Sequence, residues 1–173
     1  MTRAHRRHTR PAPSVDIVVD VVTESPLWKA IPSARATLRR AIAAAAPREL
    51  RNAEIAIMLT DDQSIRALNR QWRGRDEATN VLSFPTRLGE RGNGVPVHVG
   101  DIVIAYETTA REAAVEGKSF LHHLSHLAVH GFLHLVGYDH ESYDEAETME
   151  SLERRILARL GVPDPYAGHD AEA

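Results

Sequence analysis

Residues 119–140 read Ser-Phe-Leu-His-His-Leu-Ser-His-Leu-Ala-Val-His-Gly-Phe-Leu-His-Leu-Val-Gly-Tyr-Asp-His. From Ser119 to Val136 the pattern predicts a helix. Its apolar side chains, Phe120, Leu121, Leu124, Leu127, Ala128, Leu133 and Leu135, are spread round the axis instead of forming one stripe. A helix that is apolar on most sides belongs in the interior. His130 and His134 stand one turn apart on one face of it. Gly137 can take the positive φ that ends a helix and turns the chain, which would return His140 to the same point. Three imidazoles converging on one point describe a zinc site with its fourth position open. A histidine-rich helix end without metal is the plain alternative, and the spacing with its placed glycine argues against it.

Working outward, 16–22 (Asp-Ile-Val-Val-Asp-Val-Val) is β-branched with partial alternation and predicts a strand. Ser33 can cap a helix with Ala34, Leu38, Ile42 and Ala45 on one stripe, ended by Pro47. A second strand is predicted over 53–60, followed by a helix capped by Asp61 or Asp62 that buries Ile65, Leu68 and Trp72. The segment 79–85 reads as a strand stopped by Pro85, hence an edge or a strand end. The run 100–106 reads as a strand buried on both faces, and a short helix over 108–115 is broken at Gly117. Ser142 to Glu145 is a capping box, opening a helix with Met149, Leu152, Ile156 and Leu160 on one face. Residues 87–97 form a loop, and nothing in the chain repeats.

The chain of 173 residues is long enough for one domain with a real core, and 43% hydrophobic with 26% charged residues is an ordinary globular profile. No apolar run approaches the ~18 residues of a membrane span. The basic N-terminus lacks the apolar segment of a secretory signal. There is no cysteine, which excludes disulfides, thiolate catalysis and cysteine-ligated zinc. A cytoplasmic location is the default expectation. Arg3, Arg6, Arg7 and Arg10 give residues 1–14 a charge of +4 against a net −3, leaving the remainder at −7. We read 1–14 as a disordered basic arm, 15–166 as the folded domain and 167–173 as a disordered tail. An acidic body can meet RNA only through a local basic patch. Arg66, Arg70 and Arg73 on one helix face, with Arg75 just beyond, are either that patch or a solvated surface.

Three neutral histidines around zinc lower the pKa of a bound water to about 7, which implies metal-assisted hydrolysis without choosing a substrate. The spacing His-x-x-x-His-x-x-Gly-x-x-His is also that of the metzincin metalloproteases, where a glutamate after the first histidine serves as base. Here that position is Gly131, which cannot take a proton. A zinc peptidase is therefore the runner-up. Three histidines and a water also suit nickel or copper.

The run from His126 through His130, Gly131, Leu133, His134, Leu135, Gly137, Tyr138 and Asp139 to His140 resembles the signature of the YbeY endoribonucleases, the rRNA maturation factors. The resemblance extends to Leu68, Asn69, Trp72, Arg73 and Asp76, to Thr79 through Pro85, and to Gly100 through Ile104. Asp144 to Met149 and Asp164-Pro165-Tyr166 also match, so that roughly residues 50–166 are covered. The resemblance implies an α+β fold, a single domain with a mixed four-stranded sheet packed with about five helices. It further implies a single-strand-specific, zinc-dependent endoribonuclease of rRNA maturation, notably at the 3′ end of the small-subunit RNA, with a part in ribosome quality control. Its partners would be single-stranded and ribosomal RNA, ribosomal particles or assembly proteins, with no membrane. His130, His134 and His140 would be the zinc ligands and Arg73 the functional arginine.

Chemistry supports that arginine, because a guanidinium fork binds two non-bridging oxygens where phosphoryl charge gathers. Arg70 and Arg75 are candidates for positioning the RNA backbone. His126, one turn before His130, either orders a ligand imidazole from behind or is a packed core histidine. Asp139 either orients an imidazole or forms the turn. A non-catalytic ribosome assembly factor with a structural zinc is the remaining alternative.

Overall fold

The computed structural model describes residues 17–50, 52–86 and 97–167. The expected basic arm, nearly all of the tail and most of the 87–97 loop lie outside the described residues. The elements in chain order are β1 (Val18–Thr23), α1 (Ala34–Ala45), β2 (Ala53–Thr60), α2 (Asp62–Arg73), β3 (Val81–Pro85), β4 (Val97–Ala105), α3 (Tyr106–Val115), α4 (Phe120–Leu135) and α5 (Tyr143–Arg159). Two short 3-10 turns, Pro26–Ala30 and Arg48–Leu50, join the first of these.

The sheet order is β1-β2-β4-β3, with β1, β2 and β4 parallel and β3 antiparallel on the edge beside β4. This is the mixed four-stranded sheet with five α-helices that the sequence leads one to expect. Edge placement suits β3, which ends at a proline unable to donate to a further ladder. β4 is central and reads as a continuous apolar run because both its faces are covered. Ile102 and Ile104 join the large core with Leu38, Ile42, Ile55, Ile57 and Leu124, while Val103 and Ala105 face Ile65 of α2 with Leu82.

α4 lies in that large core, with Leu124, Ala128, Val129 and Phe132 fully buried. Its approach to the sheet depends on Gly131. A Cβ there would stand 3.1 Å from Ser83 Oγ and 3.2 Å from Ile102 Cγ2. The Ser83 hydroxyl donates to the Gly131 carbonyl at 3.0 Å, fastening the middle of the helix to the edge strand. Gly137 takes φ 98°, and the Tyr138 N–H returns to the Leu133 carbonyl at 3.0 Å, the left-handed helix ending that turns the chain toward His140. The Ser142–Glu145 capping box is formed at the start of α5.

Three details depart from the sequence reading. Ser33 stands at the N-cap of α1 but its side chain makes no capping bond. β4 runs into α3 at Tyr106 without a loop, so the helix starts before residue 108. Trp72, expected in the core, is 65% exposed and meets only the edge of the Phe84 ring, centroids 6.1 Å apart. The inward position in the last turns of α2 belongs instead to Asn69, whose side-chain N–H donates to the Glu77 carbonyl at 2.9 Å. A buried amide must be satisfied, and this one is used to hold the loop that follows α2.

Candidate metal centre and its cleft

α4 projects His130 and His134 from one face, and the Gly137 turn brings His140 to them. One ring nitrogen from each of the three lies within 4.8 Å of the others. His130 Nε2 and His134 Nε2 face each other at 3.1 Å. Nitrogens bound at ~2.0–2.1 Å around a tetrahedral zinc stand roughly 3.3 Å apart, so the donor set fits such an ion in number and type, and the His130–His134 pair in spacing.

Protonation suits this use. His130 Nδ1 is 2.7 Å from Glu153 Oε1. A carboxylate only accepts, so the His130 proton sits on Nδ1 and the Nε2 lone pair is left free toward the point the three rings share. Burial first, then the charges of His130 and His140, lower the pKa of His134 below the ordinary imidazole value and favour its neutral, ligating form.

Glu153 on α5 is wholly buried and receives three donors: His130, His126 Nε2 at 3.0 Å, and the Tyr166 hydroxyl. Burial opposes its charge, but the hydrogen bonds from His126 and His130 outweigh it and bring the carboxyl to about 2. Burial and the neighbouring carboxylate push Tyr166 far up, so its hydroxyl stays a donor. A carboxylate behind a ligating histidine fixes its tautomer and ring orientation. His126 thus acts on Glu153 and not on the converging nitrogens. Glu153 was not singled out in the sequence, and Tyr166 entered only as part of the Asp164-Pro165-Tyr166 match, with no role assigned. The available signal was a charged residue on the stripe of Met149, Leu152 and Ile156, where only a paired acid can sit.

The histidines open on a cleft of about 740 Å³ whose lining includes Arg73, Arg75, Asn80, Ser83, Tyr138 and Asp139. Arg73 and Arg75 are exposed, and their side chains make no hydrogen bond or ion pair among the described residues. Arg70 does not line the cleft, and Arg66 is occupied by Asp76 at 3.0 Å. Asp139 accepts from the His140 backbone N–H at 2.8 Å, which makes it a turn-forming residue on the cleft wall. A side chain at Gly131 would be pressed against Ser83 and Ile102, so a glutamate there could not be accommodated without moving the edge strand or the helix.

The fold is thus a small α+β domain whose cleft combines histidines on a buried helix with unpaired arginines. The model of the Endoribonuclease YbeY family matches residues 28–161, and the chain belongs to that family. It is 60% identical over 155 residues to Endoribonuclease YbeY of Rhodopseudomonas palustris, covering 87% of this chain and 82% of the relative. Relatives of the same name from Nitrobacter winogradskyi and a Bradyrhizobium species are 57% and 55% identical, covering 87% and 92% of this chain and 82% and 96% of their own lengths. Among solved structures, the solution structure of TM1509 from Thermotoga maritima superposes with a TM-score of 0.51 at 22% identity, covering 90% of this chain and 99% of that one. That likeness speaks for the fold alone.

Proposed function

We infer that this protein is a metal-dependent endoribonuclease that cuts single-stranded RNA. Its setting is maturation of ribosomal RNA, at the 3′ end of the small-subunit RNA, and ribosome quality control in the cytoplasm. Its partners are ribosomal particles or assembly proteins. The observation that carries the reading is one cleft lined by both the three converging imidazoles and unpaired Arg73. Membership of a family named for endoribonuclease activity supports the choice of RNA.

His130, His134 and His140 would hold zinc, one per chain, which supplies Lewis acidity for activating water and polarising a phosphoryl oxygen. Glu153 keeps the His130 ring turned outward with its proton on the far nitrogen. His126 and Tyr166 keep Glu153 charged and fixed. Arg73 binds two non-bridging oxygens of the phosphodiester and stabilises the charge that gathers there. Arg75 holds a neighbouring phosphate and sets the register of the chain.

The test is cleavage of single-stranded RNA by wild type and Arg73→Ala after the zinc content of each has been measured. Wild type should cut, chelation should stop it, and Arg73→Ala should keep its zinc and lose cleavage. Intact RNA with fully zinc-loaded wild type would overturn the reading. Binding to ribosomal particles that survives Arg73→Ala, without turnover, would instead favour an assembly factor.

A further inference from the structure

Beyond the histidines lies a second cavity of about 450 Å³, whose lining includes Glu112, Lys118, His123, Arg154 and Tyr166. Asn80, Val81 and His130 line both this cavity and the cleft, so the two are neighbouring compartments on either side of one ligand histidine. Its size is in the range of small-molecule sites and suits a single nucleotide.

Glu112 gives the cavity a reading edge. His123 Nε2 at 2.7 Å and Asn80 Nδ2 at 2.9 Å both meet its Oε2. Its Oε1 has no hydrogen-bond partner among the described residues. Burial alone would raise this carboxyl, but those two hydrogen bonds bring it below its ordinary value, so it is an ionised acceptor. The His123 side chain is only 6% exposed, which fixes the carboxylate it holds, and its Nδ1 is buried without a partner among the described residues. The Arg154 guanidinium, paired with Asp164 at 3.3 Å and Glu150 at 3.8 Å, is held 5.0 Å from the centre of the Tyr166 ring, a planar cation of the kind on which bases stack. Lys118 Nζ donates to the Pro165 carbonyl at 2.8 Å, next to Tyr166.

The geometry points to a nucleobase subsite: the base beside the cleaved phosphodiester enters this cavity, where Glu112 selects bases bearing an exocyclic amino group over uracil. This deepens the RNA-cleaving reading and rests on it for the ligand class. Adenine and cytosine offer an exocyclic N–H to a lone carboxylate oxygen, whereas uracil presents a carbonyl at the equivalent position and can donate only through its ring N3–H.

The experiment uses the zinc-loaded full chain with two readouts: binding of AMP, CMP and UMP, and the sequence at cuts in randomised single-stranded RNA. Wild type should bind AMP and CMP roughly tenfold more tightly than UMP, with the same bias at one nucleotide flanking the cut. In Glu112→Gln the carbonyl oxygen keeps the His123 and Asn80 bonds and an amide N–H replaces Oε1. At unchanged zinc content its preference should move toward UMP. Equal binding of the three nucleotides by wild type, or an unchanged ranking in Glu112→Gln, overturns the subsite. If Glu112→Gln does not fold, the wild-type ranking alone decides. An intact nucleotide ranking with no cutting of any RNA upholds the subsite and overturns the nuclease reading.

Discussion

The two walls of the cleft are built on opposite plans. The histidine wall is anchored in the core: His130 rests on a fully buried Glu153 that three donors hold in place. The arginine wall is loose: Arg73 and Arg75 stand exposed at the end of α2 and just beyond it, their side chains without partners among the described residues. A metal demands fixed nitrogens at fixed spacing, and order built before binding lowers the cost of holding it. A phosphate arrives on a flexible chain, and arginines that are unpaired beforehand break no ion pair to meet it. Rigidity sits where the ligand is a point, freedom where it is a polymer.

Substitutions on the two walls should therefore fail differently. The largest effect belongs to His134→Ala, which removes one converging nitrogen; elemental analysis should find no stoichiometric zinc, and cleavage should fall to background. Arg73→Ala should keep full zinc yet cut roughly 10²–10³-fold more slowly, and Arg73→Lys should recover only part, because a point charge lacks the fork. Equal losses of zinc in both variants would collapse the distinction between the walls.

Glu153→Gln should weaken zinc affinity roughly 10–100-fold by competitive chelator titration, since His130 then loses its charged support. Gly131→Glu should destabilise the fold by about 3 kcal/mol or more in denaturant unfolding, because it drives a charge against Ser83 and Ile102. Proteolytic activity in a stably folded Gly131→Glu would contradict the placement of that residue against the sheet.

The smallest effect is one of pH. Glu112 is lowered below its ordinary 4.5 in the folded chain, so its contribution is full above the unfolded value and lost as pH falls through the folded one. The stability difference between wild type and Glu112→Gln should shrink on acidification below about pH 4.5, measured by denaturant midpoints.

Much of the histidine wall was legible in the sequence because its information is local. Two histidines one turn apart, a glycine for the turn and a third histidine need only the geometry of a single helix end. The interior position of α4, the strand over 53–60 and the Ser142 capping box are legible for the same reason. Glu153 was not, because its meaning depends on α5 crossing α4, and a lone acid on an apolar stripe does not name its partner. Trp72 misled because its spacing from Ile65 and Leu68 is that of a buried stripe. Which side chain faces inward was decided by the backbone carbonyl of Glu77, which Asn69 could reach and satisfy. The arginines are the intermediate case: their type and spacing are visible, but the turn after Arg73 decides which of them enter the cleft.

The placement of Glu153 and Tyr166 also has a consequence in time. Both lie beyond all three histidines in the chain, and synthesis delivers the N-terminal parts first. A nascent chain that has emerged as far as His140 possesses every converging nitrogen but not the carboxylate that holds His130. The centre would be braced only once α5 docks, so a metal captured earlier would be held less tightly.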